Sequence, residues 1–166
     1  MGRKGSWGGR KRRKTKAERR RILPEWKLAL SRWKRMKSCK QRGEWAELCF
    51  MARAAEMGLC VCKPYGDSAH FDVGIEQEGR LLRVQVKGTT YARDGSFTCN
   101  LTGPGHKGYR AGVVDYFAVY LVPIDVWYIL PFEATGGTVS LQFSPEERGH
   151  KYHRYLDAWH LLRKRK

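Results

Sequence analysis

The chain has 166 residues, 42% of them hydrophobic, which suits one folded domain with a single core rather than a disordered protein. Its apolar stretches are too short to span a bilayer, and no apolar region follows the basic amino terminus as in a secretory signal. We therefore expect a soluble, cytoplasmic protein, associated with the nucleoid if its host is a prokaryote.

The net charge of +17 is distributed unevenly along the chain. Residues 1–42 hold 18 of the 33 lysines and arginines and two acidic residues, whereas residues 43–162 hold 11 basic and 14 acidic residues. Basic segments of this kind bind polyanions by releasing condensed counterions. The distribution predicts a nucleic-acid partner; the alternative is a solvated tail that keeps the protein soluble.

The basic region has two parts. Residues 1–21 are rich in Gly, Lys and Arg and predict a disordered arm that orders on a phosphate backbone. Residues 22–41 predict a basic amphipathic helix. This helix either docks on the core and presents cations to DNA or lies on a membrane surface, since both kinds of helix have this pattern. The candidate nucleic-acid-binding residues of the arm are Arg10, Lys11, Arg12, Arg13, Lys14, Arg19, Arg20 and Arg21.

Two further helical segments are predicted. The first covers residues 43–57, and Gly58 suits the left-handed position just past its end. The second lies in residues 144–166, where a capping box at Ser144 precedes aromatic residues at helical spacing and a basic tail. Its aromatic side chains either form a contact between subunits or pack on their own core. The apolar stripe of the first helix consists of Trp45, Leu48, Cys49, Ala52 and Ala55.

Two β-hairpins are predicted between these helices. Residues 71–76 and 80–87 alternate in polarity around a turn and form the first hairpin. Residues 113–122 and 126–131 form the second, and residues 97–101 are a weaker strand candidate.

The first hairpin brings three polar side chains together. With a two-residue turn at Glu78 and Gly79, Asp72 lies opposite Gln85, and Lys87 projects from the same face one pleat further on. A three-residue loop would shift this register by one residue. The opposite, apolar face should pack on the helix 43–57; it consists of Phe71, Val73, Ile75, Leu82, Val84 and Val86.

These side chains suit metal-assisted cleavage of a phosphodiester. A hard divalent cation takes oxygen ligands, which the Asp72 carboxylate, the Gln85 amide carbonyl and the Val86 peptide carbonyl would supply. Lys87 is placed to orient the attacking water and to add positive charge. The alternative is an exposed polar face on an amphipathic hairpin, where any Asp, Gln and Lys would serve.

The order of these residues resembles the core of the PD-(D/E)xK nucleases. Asp72 and the run Gln85-Val86-Lys87 follow a helix that begins Arg42-Gly43-Glu44-Trp45-Ala46-Glu47, and the resemblance extends over residues 42–132. The chain is most similar to the intron-encoded homing endonucleases of that superfamily and is also similar to archaeal Holliday-junction resolvases. Glu47 stands where those resolvases carry a helix glutamate, and Glu44 is a second candidate one turn earlier.

The resemblance implies an α/β (α+β), restriction-endonuclease-like fold with a central mixed sheet of four or five strands flanked by helices. Its nuclease core would span residues 42–143. The implied catalytic set is Asp72, Gln85, Lys87 and Glu47, with Mg²⁺ or Mn²⁺ held by Asp72, Gln85, Glu47 and the Val86 carbonyl. Gln85 departs from the Asp or Glu of most of the superfamily, but the homing branch carries Gln there.

The implied function is a Mg²⁺-dependent endodeoxyribonuclease that acts on double-stranded DNA as a homodimer or homotetramer. Homing is the favoured role. The alternatives are a junction resolvase or a repair or restriction nuclease of the same fold, and a non-catalytic nucleic-acid-binding protein. His106, Lys107 and Arg110 lie in a glycine-rich loop and are candidate phosphate contacts. Asp67 is either an acid that supports the site or a turn residue after Gly66.

Overall fold

The computed structural model describes residues 25–66 and 68–163. The predicted arm, with its eight candidate DNA-binding residues, lies outside the described residues, as do Asp67 and residues 164–166.

Two helices open the described chain, α1 at Glu25–Arg35 and α2 at Cys39–Glu56. The predicted basic helix therefore ends earlier than residue 41, and the next one begins earlier than residue 43. Ser38 explains the change, because its hydroxyl accepts a hydrogen bond from the backbone N–H of Gln41 at 3.1 Å and caps α2. Gly58 follows α2 with a φ of 75°, which confirms the predicted left-handed end. Neither helix is long and apolar enough to cross a membrane.

The buried face of α2 differs from the predicted stripe. Ala46, Phe50 and Ala54 are buried, whereas Leu48 is 59% exposed. Of the other predicted stripe residues, Trp45 and Cys49 are partly buried, and Ala52 and Ala55 are exposed. Alanine fits against a sheet and in solvent equally well, so the apolar pattern of this alanine-rich helix did not identify the buried residues.

The central sheet has five strands in the order β1-β2-β3-β6-β7. Only the β3–β6 pair is parallel, so the sheet is mixed, as expected. The second predicted hairpin is confirmed as β6 and β7. The strands are Cys60–Cys62 (β1), Val73–Gln77 (β2), Arg80–Thr89 (β3), Tyr116–Leu121 (β6) and Val126–Pro131 (β7).

The hairpin of β2 and β3 has the predicted register. Val73 pairs with Val84 and Gln77 pairs with Arg80, which leaves Glu78 and Gly79 as a two-residue turn. Both turn residues have positive φ, as a type I′ turn, one of the two that match the twist of a tight hairpin, requires. Glycine adopts this conformation without strain, and a two-residue turn fixes the pairing of every residue along both strands.

The central sheet is covered on both faces. On one face, α2 packs on Val73, Ile75, Leu82, Val84 and Val86, as predicted. Phe71 is the exception, because it packs with the core of the other face. That core lies against a second sheet, ordered β4-β5-β8, of which only β5 matches a predicted strand. The strands of the second sheet are Ala92–Arg93 (β4), Ser96–Asn100 (β5) and Ser140–Phe143 (β8).

The carboxy-terminal segment forms two single 3-10 turns, His153–Tyr155 and Trp159–Leu162, so the predicted α-helix there is wrong. Between the turns, Asp157 has a φ of 46°, its N–H donates to the Trp127 carbonyl at 2.7 Å, and its carboxylate accepts from the Trp127 N–H. This pairing with β7 is incompatible with a continuous helix. The aromatic side chains are buried on their own core, where Trp159 stacks on Phe50 with ring centroids 5.5 Å apart.

Candidate active site

Asp72 directly precedes β2 and is held in place by β3. Its backbone N–H donates to the Val84 carbonyl at 3.0 Å, so Asp72 bonds to the same residue that pairs with Val73. Its carboxylate accepts a hydrogen bond from the Val86 N–H at 2.8 Å and another from the side-chain amide of Gln85. Gln85 is only 6% exposed, so these bonds fix the carboxylate against the strand. The predicted juxtaposition of Asp72 and Gln85 is therefore present.

The Val86 peptide carbonyl lies beyond the end of the β2 ladder. Successive residues of a strand direct their backbone groups to alternate sides. On β3, Val84 bonds toward β2 and Arg83 bonds toward β6, where its carbonyl accepts from the Asp115 N–H at 2.8 Å. Val86 therefore directs its carbonyl to the β2 side, at a level that β2 does not reach. The Asp72 carboxylate, which accepts from the Val86 N–H, lies on that same side of the strand.

Lys87 follows on the same strand, on the side of Gln85. Its ammonium lies 3.4 Å from the hydroxyl of Tyr109 and 5.5 Å from the centre of that ring. Tyr109 is fixed in turn by an edge-to-face contact with Phe117, at 5.4 Å between ring centroids. The Lys87 side chain therefore lies against the half-buried ring of Tyr109, which limits the directions in which its ammonium can point.

Glu47 enters the site from α2. Its half-buried side chain forms an ion pair with Lys63, whose Nζ lies 2.5 Å from Oε2 of Glu47. Glu44, the second candidate, is more exposed and pairs loosely with Lys40 at 3.9 Å. One cleft between α2 and the adjoining ends of β2 and β3 is lined by both glutamates and by Asp72, Gln85, Val86 and Lys87.

The electrostatics of the cleft favour a bound cation. Burial raises the pKa of Asp72, and the nearby negative charge of Glu47 raises it further, against the opposing effects of the Val86 hydrogen bond and the Lys87 charge. Burial, together with the charge of Asp72, also raises the pKa of Tyr109 to about 12. Added positive charge next to Asp72 would relieve both of these unfavourable effects.

The oxygens around Asp72 fit a hard divalent ion. They comprise two carboxylates, Asp72 and Glu47, together with the amide oxygen of Gln85 and the Val86 carbonyl, which is the donor chemistry that Mg²⁺ accepts. The Gln85 amide nitrogen donates to Asp72, which leaves its oxygen as the acceptor for a cation. In the described part of the chain, no group of three or more His, Cys, Asp and Glu side chains is placed to hold a metal. The candidate ligand set falls short of that number because it contains two ionised groups, Asp72 and Glu47, together with the neutral oxygens of Gln85 and Val86.

The predicted phosphate contacts lie outside this cleft. His106, Lys107 and Arg110 are exposed on a loop closed by a hydrogen bond from the Gly103 N–H to the Lys107 carbonyl at 2.8 Å. Tyr109, which contacts Lys87, places this loop beside the cleft.

Two residues of the site were missed from the sequence, Lys63 and Tyr109. Lys63 follows the short strand β1, and Tyr109 lies in the glycine-rich loop, so neither belongs to a periodic pattern. Only the three-dimensional packing of β1 on β2, and of the loop on β6, brings them to the cleft.

A protein-family model described as PD-(D/E)XK endonuclease matches residues 37–162, about three-quarters of the chain. The chain belongs to this family. Among solved structures it is similar to a bacterial homing endonuclease, I-Ssp6803I, with a TM-score of 0.64 and 26% sequence identity over 76% of this chain and 92% of that one. No curated protein matches the chain. The predicted resemblance and the restriction-endonuclease-like fold are therefore confirmed, and the protein is a PD-(D/E)XK nuclease.

Proposed function

We propose that this PD-(D/E)XK nuclease is a divalent-metal-dependent endonuclease of the homing type that cuts double-stranded DNA. The observation that supports it best is the placement of Asp72, Gln85, Glu47 and Lys87 around one cleft. Two carboxylates alone would repel each other there, whereas a cation between them would stabilise both.

The metal would be Mg²⁺ or Mn²⁺, held by Asp72, Glu47, Gln85 and the Val86 carbonyl. Such an ion supplies Lewis acidity for the attacking water and for the phosphate that is cleaved. The protein contributes the rest. Gln85 and the Val86 N–H hold Asp72 in one orientation. Lys87, directed by Tyr109, supplies a positive charge and a donor for the water or the phosphate.

DNA would approach along the basic surface next to the cleft. The last turn of α1 carries the exposed residues Arg32, Lys34 and Arg35, and the loop beside Tyr109 carries Lys107 and Arg110. The arm would add further phosphate contacts. Contacts to phosphates position a protein on a duplex without reading its sequence.

The homing role is supported by two observations. Gln85 places a neutral side chain where most of the superfamily has a carboxylate, as in the homing branch that the sequence resembles. The structural similarity covers 92% of the bacterial homing endonuclease. Cutting both strands of a duplex also favours two active sites in an even-numbered assembly. A strictly monomeric mass at micromolar concentration with DNA present would contradict that assembly.

Nicking of supercoiled DNA in Mg²⁺ and in EDTA tests the proposal. We expect cutting by the wild type in Mg²⁺ only, and none by Asp72→Asn or Lys87→Ala. Lys87→Ala should bind DNA almost normally. The matched controls are Asp94→Asn and Lys151→Ala, which change residues that do not line the cleft and should cut like the wild type.

Three other outcomes would give a different function. Preference for a four-way junction over any duplex would identify a resolvase. Tight DNA binding without cutting of any substrate would leave a non-catalytic DNA-binding protein. Wild-type cutting by both Asp72→Asn and Lys87→Ala would place the chemistry outside this cleft. For the homing role, selection from a random duplex library should recover a long target that occurs rarely.

A further inference from the structure

Lys63 lines the cleft together with Lys87 and Lys40. It directly follows β1, and its ammonium lies 2.5 Å from Oε2 of Glu47. Its side chain is 45% exposed, and that of Glu47 is 17% exposed. The pair therefore lies at the mouth of the cleft, with the carboxylate on the inner side.

The position of this ammonium coincides with the place where the site needs positive charge. Glu47, Asp72 and Glu44 all act electrostatically on Lys63, and Glu47 and Asp72 also act on each other. An ammonium beside Glu47 offsets part of that repulsion between carboxylates. The ammonium thus supplies one positive charge from the chain itself, where a divalent ion would supply two.

An ammonium and a metal ion that share one carboxylate oxygen repel each other at close range. A Mg²⁺ ion approaches its oxygen ligands to about 2.1 Å, and a cation so close to the Lys63 ammonium would be strongly repelled by it. Departure of Lys63 from Oε2 of Glu47 would remove this repulsion, so metal binding favours exchange of one partner for the other.

On this basis we propose that Lys63 is a positioning residue that holds Glu47 in the metal-free enzyme and is displaced when the divalent cation binds. The inference rests on the proposed function, since it assumes that Glu47 is a metal ligand. Lys63 then lowers the apparent metal affinity while keeping the empty site in order. Metal affinity and metal-free stability are therefore coupled through the Lys63 side chain. A purely structural ion pair would affect stability and leave metal affinity unchanged.

The test measures Mg²⁺ binding to the full chain without DNA, by titration calorimetry and by the shift in Tm. Lys63→Met removes the competing charge, so we expect Mg²⁺ to bind roughly fivefold more tightly, the factor expected for one partly exposed ion pair. The metal-free Tm should fall at the same time. Lys63→Gln should behave in the same way, and it provides the measurement if the methionine variant does not fold. Lys63→Arg keeps the charge and should stay within about twofold of the wild type on the same scale.

Lys40→Met is the matched control, because Lys40 also lines the cleft and pairs with a glutamate, but at 3.9 Å and in a more exposed position. It removes the same charge without freeing Glu47. Equal effects of Lys63→Met and Lys40→Met, or weaker Mg²⁺ binding in Lys63→Met, would overturn the displacement. Absence of Mg²⁺ binding in the wild type, with Asp72→Asn indistinguishable from it, would instead overturn the proposed function, and this inference with it.

Discussion

At the scale of single residues, the site places its charges where they are unfavourable without a ligand. Asp72 is largely buried, its pKa is raised by burial and by Glu47, and its hydrogen-bond partners include a neutral amide rather than a cation. A carboxylate in such a place is more stable when a cation approaches it. The residue that determines how much charge the site carries is therefore Gln85.

Gln85→Glu should change stability and metal binding in opposite directions. A carboxylate at this buried position would meet that of Asp72 in place of a hydrogen bond, so the metal-free protein should unfold at a lower temperature. Mg²⁺ should bind roughly tenfold more tightly, because about 1.4 kcal/mol of added attraction corresponds to that factor. Thermal unfolding across a Mg²⁺ titration measures both effects.

Gln142→Glu is the control for this change, since Gln142 is an exposed strand residue on β8 that does not line the cleft. It should alter neither quantity. If Gln85→Glu and Gln142→Glu gave the same metal affinity, Gln85 would not be a ligand.

At the scale of elements, Trp33 brings α1 into close contact with β3 beside the cleft. Trp33 lies on Gly88, where an added Cβ would come within 2.9 Å of the indole ring. Gly88 directly follows Lys87 on β3, so the same contact orders α1 and shapes the wall of the cleft. The Trp33 ring also meets Trp45 of α2 at 5.9 Å, and Arg42 lies over its face at 5.8 Å.

Gly88→Ala should therefore weaken the docking of α1. We expect a loss of about 1–3 kcal/mol in the free energy of unfolding, the usual cost of overfilling a packed contact. Urea unfolding followed by tryptophan fluorescence measures it. Gly43→Ala is the matched control, because nothing lies within 4 Å of a Cβ there and the residue is helical. That variant should gain about 0.5–1 kcal/mol. A loss of the same size in both variants would show that the Trp33 contact is not the cause.

The pair Arg83–Asp115 joins β3 to the start of β6. The Asp115 carboxylate accepts from the Arg83 backbone N–H at 2.7 Å and from its guanidinium at 3.0 and 3.1 Å. The same guanidinium donates to the Gly112 carbonyl and so ties down the loop that carries Tyr109. Burial works against ionisation of Asp115, but the bonds from Arg83 prevail and lower its pKa.

This pair should make stability depend on pH on the acid side. A carboxylate with a lowered folded-state pKa stabilises the protein above its unfolded pKa of about 3.9, and that contribution is lost as the pH falls through the folded value. Asp115→Asn should cost about 1–2 kcal/mol at pH 7 and flatten the decline below about pH 4. Urea unfolding at several pH values tests this. If the stability of the wild type and of Asp115→Asn declined in parallel below about pH 4, Asp115 would not be the cause. Asp94→Asn is the control, because the Asp94 side chain is 91% exposed in a surface ion pair, and its stability should match that of the wild type.

The elements that could be predicted from the sequence are those with local rules. The β2–β3 hairpin follows from period-two alternation and a two-residue turn, and these rules were sufficient to place Asp72 beside Gln85. The three-residue strand β1 is too short to show a period, and β8 pairs with β5, whose residues lie 40 to 46 positions earlier in the chain. The carboxy-terminal segment has helical spacing but is pulled into turns by its bonds to Trp127. Lys63 directly follows β1 and owes its place in the cleft to that strand, so its position could not be predicted from the sequence.

At the scale of the whole molecule, charge and chemistry are separated along the chain. The matched family region, residues 37–162, contains every residue that lines the cleft except Trp33, while most of the excess positive charge precedes it. Fifteen of the 33 lysines and arginines lie in residues 1–36, and 11 of these are in residues 1–21. A nuclease arranged in this way would use one part of the chain to hold DNA and another to cut it.

Deletion of residues 1–21 tests this separation. If the 11 cations of the arm bind phosphates, the dependence of log affinity on log salt should flatten by about 0.9 for each phosphate that the shortened chain no longer neutralises. The Mg²⁺ affinity and the EDTA sensitivity of cutting should not change, because the residues around Asp72 remain. Filter binding or fluorescence anisotropy between low and moderate salt gives the slope, and Lys151→Ala, which removes one distant charge, sets the background. A shortened chain with the wild-type slope would mean that the arm does not touch DNA. Cutting by the shortened chain without Mg²⁺ would contradict the assignment of the chemistry to the cleft.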